Sequence, residues 1–88
     1  MENANILVVE DDVDINRLLC TILEGAGYTC RAAFSGSEAL LWAEKYDYDL
    51  VVLDLMLPGL TGEEFIVQVR RERTMPIIVA SAKLGVSD

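Results

Sequence analysis

Four short apolar stretches punctuate the chain, and the helical signals fall between them. Ile6-Leu7-Val8-Val9 lacks polar alternation, the pattern of a strand buried on both faces; Leu50-Val51-Val52-Leu53 is another continuous apolar run, and Pro76-Ile77-Ile78-Val79-Ala80 reads as the last strand. Tyr28 to Ala33 is more mixed, and Thr29 and Arg31 within it predict a strand at the sheet edge. Ile15, Leu18, Leu19, Ile22 and Leu23 recur at the spacing of one helical face. Asp12 is placed to cap the start of that helix, and Gly25 and Gly27 to stop it. Ser35 and Glu38 have the spacing of a capping box, ahead of a helix through Ala39 to Ala43 that ends near Tyr46. Thr61 and Glu64 repeat the signature before a helix whose apolar side includes Phe65, Ile66 and Val69. Arg70, Arg71 and Arg73 fall in or just beyond its last turn, where cations complement the helix dipole. Leu57-Pro58-Gly59-Leu60 puts proline and glycine at the centre of a type II turn. Leu84 to Asp88 carries no clear signal.

The order is therefore β-α-β-α-β-α-β. Short buried strands alternating with helices predict a parallel sheet covered on both faces, and right-handed crossovers make it doubly wound. Ligands bind such sheets at the carboxyl ends of the strands, where strand order reverses. Four polar residues reach that edge: Glu10 and Asp11 after the first strand, Asp54 after the third, Ser81 after the fourth. If the first and third strands are neighbours, three carboxylates converge there. Such crowding needs a cation or a shared proton, and a compact all-oxygen site favours Mg²⁺.

Composition narrows the field further. Eighty-eight residues suffice for one small domain, and 52% apolar content predicts a buried core. Fifteen acids against seven bases give a net charge of −8, which repels a phosphate backbone and argues against nucleic-acid binding by this segment. The two cysteines, Cys20 and Cys30, form no CxxC pair and there is no histidine, which excludes the usual zinc sites. Isolated cysteines fit a reducing cytosol, where both would serve as small apolar residues. The N-terminus has no basic region, and no apolar run is long enough to cross a bilayer, so a soluble, cytoplasmic protein without membrane contact is expected.

The segments Val8-Val9-Glu10-Asp11-Asp12, Leu53-Asp54-Leu55-Met56-Leu57-Pro58-Gly59 and Pro76-Ile77-Ile78-Val79-Ala80-Ser81-Ala82-Lys83 resemble, in order, three motifs of the bacterial response-regulator receiver domain. The resemblance spans essentially the whole chain and is closest to the branch fused to winged-helix DNA-binding domains. It implies a flavodoxin-like sheet of order 2-1-3-4 so far as the chain extends. It also implies that Asp54 accepts a phosphoryl group from a sensor histidine kinase. Asp11, Asp54 and the backbone carbonyl of Met56 would ligate Mg²⁺, Glu10 would hold it through water, and the Ser81 hydroxyl would contact a phosphoryl oxygen. Such a domain is a signalling switch and no enzyme beyond assisting its own phosphorylation and dephosphorylation. DNA contact and transcriptional control would belong to an output domain outside these residues.

The sequence also departs from the family pattern. A complete receiver has a fifth strand, with a helix before and after it, ending in a Lys-Pro pair whose lysine contacts the phosphoryl group. Residues 1–88 therefore read as a receiver truncated after its fourth strand. Lys83 matches the variable residue two beyond the hydroxyl, so the family's lysine lies past the chain end, as does the switch aromatic of the fifth strand. The alternative function is a fragment incompetent for phosphorylation, which binds a partner or itself through the edge at Ile77 to Val79. It would form a homodimer or exchange an element between two chains.

Other readings fail on single residues. Asp12, Asp14 and Asn16 mimic the start of an EF-hand loop, but Arg17 stands at the required glycine and Leu23 at the required glutamate. A haloacid-dehalogenase-type phosphatase needs a second aspartate where Met56 stands. Trp42, Met56, Tyr46 and Tyr48 read as packing residues, the three arginines as a solvated helix end, and the cysteines as functionally silent.

Overall fold

The computed structural model describes residues 3–80. Its elements are β1 (Asn5–Val9), α1 (Val13–Gly25), β2 (Thr29–Ala33), α2 (Gly36–Lys45), β3 (Leu50–Leu53), α3 (Gly62–Val69) and β4 (Ile77–Val79). The strands form one parallel sheet in the order β2-β1-β3-β4. The chain thus winds outward from β1 to β2, then restarts on the other side of β1. Because the β1-to-β2 crossover runs one way and the two that follow run the other, right-handedness puts α1 on one face of the sheet and α2 with α3 on the other.

β1 is central, so both of its faces are sealed, and Ile6 to Val9 are all buried. Leu7 and Val9 join Val51 and Leu53 in a core closed by Ala33, Ala39, Ala43, Phe65 and Val69. The small alanines of α2 let that helix lie close to the strands, while Phe65 of α3 fills the remaining space. β2 is an edge strand, as its mixed composition predicts.

The opposite face is covered less well than the sequence suggests. Leu18 and Ile22 of α1 are each 59% exposed, and the helix residue that is fully buried is Asn16. Apolar periodicity identifies the sticky side of a helix but not what covers it. Here α1 packs on β1 and β2 and leaves part of its stripe in water. β4 presents Ile78 and Val79, 53% and 43% exposed, at the edge the sequence leaves open. Among the described residues it pairs on one side, with β3.

The helix starts follow the sequence with one correction. Asp12 accepts a hydrogen bond from the Ile15 amide at 3.0 Å. Thr61 and Glu64 close a full capping box, at 3.1 Å and 2.9 Å. Ser35 accepts from the Glu38 amide at 3.1 Å, yet Glu38 reaches past it to the Phe34 amide at 2.8 Å. The Glu38 carboxylate is held in that pose by the Trp42 indole, which donates to its second oxygen at 3.2 Å.

Arg73 is no solvated end. Its guanidinium donates to the carbonyls of Ala43 and Glu44 and meets Asp47 at 2.6 Å, so it caps the carboxyl end of α2. Gly59 has φ +71°, the value a type II turn demands at that position. Gly62 is needed for space instead: a Cβ there would lie 2.6 Å from the Leu55 Cα and 3.0 Å from the Asp54 carbonyl oxygen. Its absence lets α3 begin directly beneath the β3–α3 loop.

Candidate functional site

The β1–β3 pairing sets Val9 opposite Leu53, so the residues that follow leave the sheet side by side. Each is pinned by the ladder it has just left. The Glu10 amide donates to the Ala33 carbonyl and the Asp54 amide to the Val9 carbonyl, both at 3.0 Å. The carboxylate oxygens of Glu10, Asp11 and Asp54 consequently lie within 4.8 Å of one another. Glu10 and Asp54 are 3% and 1% exposed, and Asp11 is half-buried.

Local turns orient two of these acids. The Asp12 amide donates to Glu10 at 2.9 Å, and the Met56 amide donates to an Asp54 oxygen at 2.9 Å. The Glu10 carboxyl is pushed above its ordinary range, first by burial; the Asp12 amide draws it back. The hydrogen bond to Asp11 and the charges of Asp54 and Asp11 raise it further. This is a cluster of like charge in a poorly hydrated place, and it calls for a counter-charge. All donors are hard oxygens and part of the rim faces water. The set therefore suits a hydrated, hard divalent cation such as Mg²⁺ far better than a thiophilic or imidazole-seeking metal.

Asn16 organises the loop beneath the acids, a role not assigned to it from the sequence. Its side-chain amide donates to the carbonyls of Glu10 and Ala33, each at 3.1 Å, and of Val8 at 3.3 Å. The Cys20 thiol donates to its oxygen at 3.4 Å. One buried amide thus ties α1 to the carboxyl ends of β1 and β2. The signal available in sequence was a polar residue on the inward side of an otherwise apolar helix face. Met56 brings its amide to Asp54 while its side chain is exposed, so it is no packing residue. Ser81 and Lys83 lie outside the described residues. Separate hollows lined by Arg73, Asp47 and Tyr48 hold none of the three clustered acids.

Residues 6–88 match the family described as the response regulator receiver domain. The chain belongs to that family. Transcriptional regulatory protein ResD of Bacillus subtilis is 44% identical over 80 residues, a match spanning 91% of this receiver chain and 33% of ResD. The chemotaxis response regulator CheY4 of Vibrio cholerae superposes with a TM-score of 0.85 at 34% identity, covering 88% of this chain and 67% of that one. A chain from the crystal structure of histidine kinase ThkA in complex with response regulator TrrA gives 0.84 at 37% identity, covering 100% of this chain and 76% of that one. The receiver chain thus spans about a third of the length of ResD. Its four-stranded parallel sheet of order β2-β1-β3-β4 is the CheY-like arrangement, and its relatives include transcriptional regulators of two-component systems. No helix among the described residues is long and apolar enough to cross a membrane.

Proposed function

We propose that this receiver takes a phosphoryl group from a sensor histidine kinase onto Asp54, with Mg²⁺ held by Asp11, Asp54 and the Met56 backbone carbonyl and, through water, by Glu10. One observation carries the reading: two adjacent strands deliver three acids, two of them almost fully buried, to one rim of the sheet. An Asp54 oxygen attacks phosphorus as the P–N bond to the kinase imidazole breaks, and the released nitrogen regains its proton. Bound Mg²⁺ would supply charge neutralisation, which phosphoryl transfer needs more than it needs covalent help. The Met56 amide holds and orients one Asp54 oxygen. The Ser81 hydroxyl, carried over by position, would meet a phosphoryl oxygen. The TrrA likeness supports a kinase partner, and the ResD likeness supports a transcriptional output borne by residues beyond this segment.

Acetyl phosphate tests the reading without a kinase, because Asp54 then displaces acetate. With Mg²⁺ present, mass spectrometry is expected to find one hydroxylamine-labile phosphoryl adduct, absent without the ion and absent in Asp54→Ala. No adduct at any Mg²⁺ concentration rejects phosphotransfer.

The exposure of Ile78 and Val79 favours a second reading, association through the β4 edge. Sedimentation is expected to show concentration-dependent dimers that Ile78→Lys abolishes. A strictly monomeric wild-type chain at high concentration rejects it.

A further inference from the structure

Cys20 and Cys30 are ten positions apart in sequence, on α1 and β2, and nothing in their spacing pairs them. The fold does. Both thiols line one open groove of about 260 Å³ between α1 and β2, together with Asn16, Arg17 and Glu24. Each is half-buried, and each shifts the ionisation of the other, as only near neighbours do. The Cys20 thiol in turn donates to Asn16, whose amide supports the carbonyl of Glu10. A pair of thiols therefore stands one residue away from the backbone that carries the acidic site.

We propose that Cys20 and Cys30 form a disulfide across the α1–β2 groove when a peroxide reaches it. The chemistry balances with hydrogen peroxide as sole oxidant. The Cys20 sulfur attacks one peroxide oxygen, the O–O bond breaks, and the product is a sulfenic acid plus water. The Cys30 sulfur then attacks the Cys20 sulfur, the S–OH bond breaks, and a second water leaves. Two thiols have lost two electrons, and one peroxide has gained them.

The order of attack follows from the surroundings. Burial first, then the charges of Cys20 and Glu24, push the Cys30 thiol up to about 12, so it acts as hydrogen donor and resolving group. Burial and Glu24 raise Cys20 as well, but the Cys30 hydrogen bond draws it back, making Cys20 the better nucleophile. Thiols so held are slow to ionise, so the bridge forms slowly and records sustained oxidant, not brief pulses. Bridging also removes the Cys20 donor from Asn16, which links the oxidation to the acidic rim.

The test treats the reduced 88-residue chain with hydrogen peroxide, quenches with iodoacetamide and digests with trypsin. Cleavage after Arg17 and Arg31 leaves both cysteines on one peptide, Leu18 to Arg31. The expected product is that peptide two hydrogens lighter, unalkylated, and restored by dithiothreitol. In Cys30→Ser, dimedone is expected to label Cys20. NMR of the oxidised chain is expected to show shifted resonances for the Asn16 side-chain amide and the Glu10 backbone amide. Full alkylation of both cysteines after prolonged peroxide overturns the proposal, as do disulfides formed between chains. Dimedone labelling of Cys30 in Cys20→Ser with none on Cys20 in Cys30→Ser overturns the order of attack.

Discussion

Asp54→Asn is expected to raise the unfolding temperature of the metal-free receiver and to abolish its stabilisation by Mg²⁺. The cause is the company Asp54 keeps. Its carboxylate shares a space less than 5 Å across with those of Glu10 and Asp11. Two unit charges about 5 Å apart repel by about 3 kcal/mol at an effective dielectric constant of about 20. The amide removes that repulsion, keeps the shape of the side chain, and still accepts from Met56, though more weakly. A net gain of about 1–3 kcal/mol remains, and each kcal/mol is worth about 4–8 °C in a domain of this size. Mg²⁺ held by these acids would stabilise the native chain by mass action, so its melting point is expected to climb with ion concentration while that of the variant stays flat.

Protonation should act in the same direction as the substitution. Glu10 has a folded-state value above its ordinary 4.5, so the native state binds this proton more tightly than the unfolded chain does. Its contribution in the metal-free protein is complete below 4.5 and is lost as pH rises through the folded value. Differential scanning fluorimetry with and without Mg²⁺ measures all of this. A metal-free Asp54→Asn that melts below the native chain would mean the acids are not in mutual strain.

The second large effect is expected from Asn16→Ala, at the amide that ties α1 to the carboxyl ends of β1 and β2. The substitution removes the donor for the Glu10, Ala33 and Val8 carbonyls. Ala33 keeps the Glu10 amide, so its loss is partly made good. An abandoned buried acceptor costs about 1–3 kcal/mol, which places the total near 2–4 kcal/mol. A domain of this length holds about 5–10 kcal/mol, so the variant keeps only part of its stability. Urea unfolding is expected to show a lower midpoint with an unchanged slope. The β1–α1 loop is released by the same change, so the Mg²⁺ concentration needed for half-maximal stabilisation should rise severalfold. A midpoint within experimental scatter of the native value would show that water replaces the amide at no cost.

Much of this site could be read before any coordinates. Unbroken apolar runs ending in acids locate β1 and β3, and crossover handedness leaves few ways to arrange them, so Glu10, Asp11 and Asp54 meet as expected. Backbone geometry of this kind is local and repetitive, which is why sequence records it. Contacts between elements distant in the chain are another matter. Arg73 looked like a solvated end because its partners, Ala43 and Glu44, belong to a helix some thirty residues earlier and offer only carbonyls. Glu38 has the spacing of a capping box, but the Trp42 indole competes for its carboxylate and swings it one residue back. Leu18 and Ile22 lie on the apolar helix face yet largely in water, because periodicity records apolarity without recording coverage. Cys20 and Cys30 became neighbours only when α1 was laid across β2.

The bare hydrogen of Gly62 has one more consequence. Side chains between two packed segments act as cushions, because their rotamers absorb small displacements. Between the loop after β3 and the first turn of α3 there is almost no cushion: the Leu55 Cα, the Asp54 carbonyl oxygen and one Leu55 methyl already crowd the place a Cβ would take. If Asp54 gains a bulky anionic group as proposed, a shift of that loop would pass to α3 with little damping, as a push rod passes on a stroke.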